Sequence, residues 1–421
     1  MTSRAVDSRR WIIIGLLSLG GIIAYVDRTN ISVALAHVDF TRTFHLSDVD
    51  RGMLNSAFFW SYSTLQILMG WVVDRYGVKL PYALGFFFWC LASASTALTR
   101  SLWQLLSLRV LLGVGESVLV PATYRWIRYN FAEKQRGLAM GIYLLGTKLG
   151  GAIGAPIAAW LIVTYNWQLM FVILGLGGLF WLIPWMILVK DSRPTEVQET
   201  PVKEVVSERV PFSKIMASPV VWGSIVVDFS YMYFVFFCIT WMPAYFVEAR
   251  HLSLSKMGLY TFFSFAGMAI VAMLAGWAAD RLIARGRNPV TVRKGFVIAG
   301  FSFACTELIG AQSSSVEAAL FWAVISLSGL GLASANSLAL TRGTLIPAWA
   351  VGRVTGVQNF FASSAGIVGP ILTGWLKEIG GNYQAPMQAI WFFLMLGILS
   401  CVFLLREKYA PVRTLHQAPG A

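Results

Sequence analysis

Apolar runs long enough to cross a bilayer recur along the whole chain, and nothing else in the sequence leaves it so few ways to fold. About 20 apolar residues span the ~30 Å hydrocarbon core of a membrane. Runs of that order fall at residues 12–33, 53–73, 80–99, 102–123, 137–163 and 168–189, then at 219–247, 257–279, 294–311, 316–340, 354–376 and 386–405. Backbone polar groups in lipid must satisfy one another, so such runs become helices. Composition agrees, since 57% of the 421 residues are hydrophobic and 13% charged, against about 25% charged in soluble domains. The expected fold is an all-α membrane protein of twelve transmembrane helices. The first run is too long for a signal-peptide core and no small-residue cleavage site follows it, so it reads as a retained helix.

The formal charge of +13 would suit nucleic acid if the basic residues were clustered, but they alternate with the helices instead. Of 33 Lys and Arg, 24 fall at the N-terminus, in every second connection and in the C-terminal tail, whereas Arg42, Arg51, Arg100, Arg250, Lys256 and Lys377 make up the opposite set. By the positive-inside rule both termini are cytoplasmic, which for a bacterial chain means a multi-pass protein of the inner membrane. Cys90, Cys238, Cys305 and Cys401 lie in apolar runs without CxxC spacing, and His37, His45, His251 and His416 lie in loops or the tail. Disulfide, zinc and histidine-based catalytic readings therefore fall away. No cofactor is expected.

Lys190 to Ser218 is the one long polar interruption, and it divides residues 1–189 from residues 219–421. The expected organisation is an N-terminal six-helix bundle, a cytoplasmic linker at 190–218, and a C-terminal six-helix bundle with a cytoplasmic tail. The halves echo each other. "GWVVDRYGVK" (Gly70 to Lys79) closes the second run and "GWAADRLIARGR" (Gly276 to Arg287) the eighth, while "GGAIGAPIAAWL" in the fifth run parallels "AGIVGPILTGWL" in the eleventh. A parallel duplication of six helices is an arrangement of transporters that alternate access to a midplane site. Gly146, Gly150, Gly151 and Gly154, with Gly366, Gly369 and Gly374, allow close helix contact; each alone fits tight packing or relative motion equally well, and the recurrence in both halves favours motion.

"GWVVDRYGVK" resembles the signature loop of the major facilitator superfamily. More narrowly, "YVDRTNISVA", "WSYSTLQILMGW", "LRVLLGVGESVLVPA", "TWMPAYF" and "GVQNFFASSAGIVGPILTG" resemble the anion:cation symporter family, which includes bacterial sugar-acid transporters and sialin-like carriers. The resemblance implies proton-coupled symport of an organic anion by a monomer. It makes Asp27 and Glu116 protonation sites, Arg28 a substrate contact, Arg109 a control on the acid's charge, and Asn359 a further substrate contact. A tyrosine on the first or second helix binds the sugar acid in that family, which points to Tyr25 and Tyr62, near Trp60 and Gln66.

The residues support this independently. An ionised side chain at the bilayer centre costs about 2.5–3.5 kcal/mol on the lenient scale, and only Arg28, Arg109 and Lys148 among the basic residues lie inside predicted helices. At a rise of ~1.5 Å per residue, Asp27 and Arg28 lie roughly 24 Å from the cytoplasmic edge and Arg109 roughly 20 Å. Glu116, two turns after Arg109, is expected about 10 Å closer to the cytoplasm. Two arginines at one cavity call for a negative charge between them, and the guanidinium fork fits a carboxylate. A structural ion-pair network is the competing account of the same four residues. Lys148 has three readings: a contact for a second negative charge, a partner for Asp228, or a side chain that snorkels. Asp228 could equally carry a proton. Ser363, Ser364, Ser334 and Asn336 could line the cavity or bond backbone. Asp74, Arg75 and Lys79, echoed by Asp280 and Arg281, with Arg125 and Arg136, are expected to gate the cytoplasmic side. Proton-driven efflux or anion exchange would suit the same fold. A membrane enzyme would need a clustered nucleophile, base or metal set, and a sensor a large output domain; the chain offers neither.

Overall fold

The computed structural model describes residues 3–131, 133–190, 211–341, 345–346 and 351–410. Among them no strand occurs. In chain order the helices are α1 (Ser3–Ala36), α2 (Val38–Thr43), α3 (Asp48–Tyr76), α4 (Lys79–Ser95), α5 (Leu102–Glu116), α6 (Leu119–Asn130), α7 (Glu133–Thr164), α8 (Trp167–Gly178) and α9 (Leu182–Leu188). They continue with α10 (Phe212–Met216), α11 (Pro219–Thr240), α12 (Met242–Glu248), α13 (Leu254–Ala284), α14 (Pro289–Ala304), α15 (Glu307–Gln312), α16 (Val316–Leu340), α17 (Val351–Gly380) and α18 (Gln384–Phe403). Every expected apolar run lies mostly on one of these helices or on a consecutive pair, with short turns at Thr96–Leu98 and Leu179–Trp181. Ten segments among the described residues are long and apolar enough to cross a membrane. The runs at 53–73 and 354–376 are not among the ten, although α3 and α17 are 29 and 30 residues long. Asn55, Thr64 and Gln66 on α3, and Gln358, Asn359 and Ser363 on α17, dilute their apolar character.

The chain forms two compact units drawn differently from the two sequence halves. The first comprises Met1–Thr200, Phe236–Ala266 and Gly366–Pro386; the second comprises Pro201–Val235, Gly267–Ala365 and Met387–Ala421. Of the expected linker, residues 191–210 lie outside the described residues, and its end folds as α10. Residues 411–421 of the expected tail lie outside them too.

In the first unit, buried rings bind α4 to α9 and to the turn that precedes it. Trp181 stacks on Phe86 at 4.2 Å and on Trp185 at 4.8 Å, and Tyr82 lies 4.6 Å from Trp185. Both indoles donate to backbone, Trp181 to the Leu16 carbonyl at 2.8 Å and Trp185 to that of Lys79 at 2.9 Å. Buried Trp needs such partners for its N–H. Along α1 the partner is α7, admitted by glycine: a Cβ at Gly150 would lie 2.6 Å from the Ile22 carbonyl oxygen and 2.8 Å from the Tyr25 Cβ. Gly146 and Gly154 face Ser18 and Thr29 in the same way, so these three positions require the smallest residue for packing. One interruption sets up the site. Pro121 cannot donate to the carbonyl of Ser117, and the helix breaks there, leaving Glu116 as the last residue of α5.

At the α1–α3 end of this unit a charged cluster joins segments far apart in sequence. Arg51 binds Asp48 at 2.8 Å and Glu248 at 2.6 Å, and Lys377 binds Asp48 at 2.7 Å and Glu248 at 2.9 Å. Tyr383 donates its hydroxyl to Glu248 at 2.9 Å, and the Arg51 guanidinium lies 5.0 Å from the Trp241 ring. Ser47 caps α3 beside it, accepting from the Asp50 amide at 3.1 Å while Asp50 accepts from the Ser47 amide at 3.0 Å.

The second unit has a smaller buried apolar cluster of Ile215, Val221, Ile225, Ile346 and Val354. Close approach again rests on glycine, with a Cβ at Gly300 placed 2.7 Å from the Ala333 nitrogen across α14 and α16. Gln358 donates to Ser224 at 2.6 Å, and Ser326 donates to the buried Glu307 at 2.6 Å.

Burial pushes the Glu248 carboxyl up, but the Arg51 guanidinium and Lys377 ammonium outweigh burial and hold it below its ordinary value of 4.5. A carboxyl depressed in the folded state adds stability that is present above its unfolded value and lost as pH falls through the folded one. Glu248→Gln should therefore lower the thermal midpoint by several degrees at pH 7. The gap to the parent protein should close as the pH is taken below 4.5, as followed by scanning fluorimetry in detergent.

Candidate functional site

The first unit gathers three of the sequence-selected residues, Tyr25, Tyr62 and Glu116, around the guanidinium of a fourth, Arg28. Arg28 Nε donates to Glu116 Oε2 at 2.7 Å, with 8% and 0% of the two side chains exposed. The guanidinium carbon lies 4.7 Å from the Tyr25 ring centroid, 4.8 Å from Phe58 and 4.5 Å from Tyr62. Cations over aromatic faces gain about 2 kcal/mol or more when desolvated, so the rings do part of what water would do. Phe58 and Tyr62, one turn apart on α3, stack at 5.0 Å. Arg109 approaches the same Phe58 ring, at 5.5 Å, and donates Nε to the Leu54 carbonyl at 3.3 Å. Two atoms of the pair, Arg28 Nη2 and Glu116 Oε1, have no hydrogen-bond partner among the described residues.

Glu116 binds Arg28 although helical rise places its α-carbon well below that of Arg28. Side chains on a helix tilt toward its N-terminus. Arg28 thus reaches back over Tyr25, three residues earlier, while Glu116, on a helix running the other way, reaches up to meet it. Asp27 and Arg28 do not pair with each other, because successive helical residues point about 100° apart. Asp27 Oδ1 instead accepts from Ser93 Oγ on α4 at 2.8 Å and from Asn30 Nδ2 at 3.2 Å. Asp27 Oδ2 has no partner among the described residues.

Phe58, Ser93 and Asn30 were not singled out by sequence reading. Asn30 carried a signal in its i+3 spacing from Asp27, and Phe58 in its i−4 spacing from Tyr62; Ser93 is one of several serines in an apolar helix. Trp60 takes no part in the ring cage, since its indole donates to Ser56 at 2.8 Å. Lys148 lies on α7, half-buried. Asp228, in the second unit, accepts from Ser337 at 3.1 Å. On α17 of that unit, Asn359 is exposed and Ser363 half-buried. Ser364 donates to its own helix at the Phe361 carbonyl, 2.6 Å away, and Asn336 to the Leu332 carbonyl at 3.0 Å.

The two echoed loops end their helices alike, with Gly77 at φ 84° and Gly286 at φ 86°, a conformation open to glycine. Their aspartates find different partners. Asp74 pairs with Arg125 on α6, whereas Asp280 pairs at 2.9 Å with Arg293 on α14, which sequence reading did not name. Arg75 lies 5.8 Å from the rings of Trp71 and Tyr76, Arg281 lies 5.3 Å from Trp277, and the Lys79 carbonyl receives Trp185. Arg136 donates to the carbonyls of Phe131 and Arg128 at 3.1 and 3.0 Å.

A profile of the Major Facilitator Superfamily matches residues 17–367. The chain is 30% identical over 394 residues to the hexuronate transporter of Bacillus subtilis, covering 92% of this chain and 91% of that protein. It is 26% identical over 420 residues to the D-galactonate transporter of Escherichia coli O6:H1, covering 95% and 96%. Among solved structures it is similar to a bacterial homolog of the human lysosomal transporter Spinster in an inward-facing, unoccupied conformation. That likeness has a TM-score of 0.74 at 19% identity, over 94% of this chain and 95% of the other.

Removing one partner of a buried ion pair costs about 3–5 kcal/mol, and replacing both by apolar groups far less. Arg28→Met and Glu116→Leu should each lower the thermal midpoint of purified protein more than the double change does. Additive losses would show that the two side chains are not coupled.

Proposed function

The chain belongs to the Major Facilitator Superfamily and is a membrane transporter, not an enzyme; from that premise we propose that it is a secondary active transporter. It carries an organic anion, a sugar acid or another carboxylate, in symport with protons by alternating access. It works across the bacterial inner membrane, as a monomer with both termini cytoplasmic and two six-helix bundles, residues 1–189 and 219–421, joined by a linker. The observation that carries this reading is the Arg28 head group, held by three rings and by Glu116 through Nε alone, with Nη2 left for a further acceptor. The relatives named for hexuronate and D-galactonate support a hydroxylated carboxylate as that acceptor.

In this reading substrate and Glu116 compete for one guanidinium. A proton on Glu116 removes the charge that holds Arg28, and the substrate carboxylate takes its place with a pair of charge-assisted bonds. Loading of anion and proton are thereby linked at a single side chain. Asp27, held by Ser93 and Asn30, is the second protonation site, and Arg109, over the shared Phe58 ring, keeps the local potential positive. Tyr25 and Tyr62 pack the sugar face. In the second half, Asn359, Ser363 and Ser364 are the proposed contacts for substrate hydroxyls. Asp74, Arg75, Lys79, Asp280 and Arg281 serve the cytoplasmic gate, and the Asp48, Arg51, Glu248 and Lys377 cluster closes the opposite side.

Two measurements on reconstituted protein test the scheme. Arg28→Lys keeps the charge but not the planar fork, so sugar-acid binding should weaken about tenfold or more, ~1.4 kcal/mol. Unchanged affinity would remove Arg28 from the site. Glu116→Gln imitates the protonated acid, so labelled anion should still exchange across proteoliposome membranes while uptake driven by a pH gradient falls at least about tenfold. Preserved accumulation would move coupling to another carboxyl.

A further inference from the structure

Among the described residues, Lys148 is the one membrane-embedded cation of the first unit that the Arg28 site does not use. Among the described residues it has no hydrogen-bond or ion-pair partner. An ionisable side chain at such depth is expensive unless something answers its charge. Its place is fixed by its neighbours. A Cβ on Gly151, one turn further on, would lie 3.8 Å from both the Tyr25 ring and the Phe265 ring, and Tyr25 carries Arg28 on its face. A Cβ on Gly150 would touch Ile22. Lys148, two positions before Gly150, is therefore level with residues about six to eight before Arg28, roughly 10 Å along the axis. α1 and α7 run parallel, since Gly146, Gly150 and Gly154 meet Ser18, Ile22 and Thr29 in turn, and both side chains lean toward their helix N-termini, so Lys148 lies on the N-terminal side of Arg28.

Charge counting points the same way. The membrane-spanning segments of the first unit hold two carboxyls, Asp27 and Glu116, against three cations, Arg28, Arg109 and Lys148. One proton on either carboxyl leaves a surplus of two positive charges, which a dianion neutralises and a monoanion does not.

We propose that Lys148 receives a second carboxylate of the substrate bound at Arg28, so that the carrier selects dianionic acids over monoanions of the same length. The proposal rests on the carboxylate reading of Arg28. Its test is binding to purified protein in nanodiscs, by calorimetry, of glucarate against glucuronate and of malate against 3-hydroxybutyrate, each pair sharing a carbon count but differing in charge. The parent protein should prefer one of the dianions by at least about tenfold. Lys148→Gln should abolish that preference by weakening the dianion while leaving the monoanion within about twofold, and Lys148→Arg should retain it. No preference in the parent protein, or parallel losses for both acids in Lys148→Gln, would overturn the proposal. If a monoanion binds in an Arg28-dependent way without any preference, Lys148 alone is excluded and the carboxylate reading stands. If none of the four acids binds, both fall. A Lys148→Gln protein that fails to fold leaves the decision to the parent protein's preference and to Lys148→Arg.

Discussion

A guanidinium placed in hydrocarbon has to be solvated by protein, and the way Arg28 is solvated dictates much of the surrounding architecture. Glu116 meets it only because α5 stops there, and α5 stops because Pro121 withholds a backbone donor. Phe58 and Tyr62 meet it only because α3 and α5 run close together, which Gly113 permits by presenting no Cβ to the Phe58 carbonyl. Tyr25 meets it from the same helix, on a stretch of α1 that Gly150 lets α7 approach. The glycines, the proline and the aromatic residues are thus parts of one solvation shell. The same shell explains why the pair is incompletely satisfied: rings answer the charge of the guanidinium without accepting its hydrogen bonds.

The site also separates two carboxyls that a linear view would treat alike. Glu116 is bound to a cation, whereas Asp27 is bound to a hydroxyl and an amide. A carboxylate released from a cation gains or loses a full Coulomb interaction, while one held by neutral donors keeps a nearly constant environment as its neighbours rearrange. The charge of Glu116 is accordingly tied to Arg28, whereas the carboxyl of Asp27 is held by neutral donors.

Fold class was legible because hydrophobicity is a sum over many residues, and each expected apolar run is helical. The membrane charges were legible for the converse reason: a single Asp, Arg or Glu in an apolar run stands out. Their pairing was not. Helical rise places α-carbons, whereas a long side chain leans several ångströms along the axis, so Glu116 and Arg28 meet across a gap the rise alone predicted. Ser93 was hidden because a serine in an apolar helix usually bonds its own backbone, as Ser364 does. Arg293 was hidden because the sequence echo of Asp74 in Asp280 carries no information about which helix supplies the arginine. The cluster of Asp48, Arg51, Glu248 and Lys377 had no local signal at all, since its members read singly as ordinary charges flanking membrane segments.

That cluster has a consequence for how the protein is made. Asp48 and Lys377 are 329 positions apart, and Arg51 and Glu248 are 197 apart. Chains emerge from the ribosome at about 5–20 residues per second, so Asp48 and Arg51 enter the membrane surface well before either of their distant partners exists. The four-residue cluster is therefore complete only after the segment carrying Lys377 has been made, and until then Asp48 and Arg51 have only each other of the partners they hold in the finished protein.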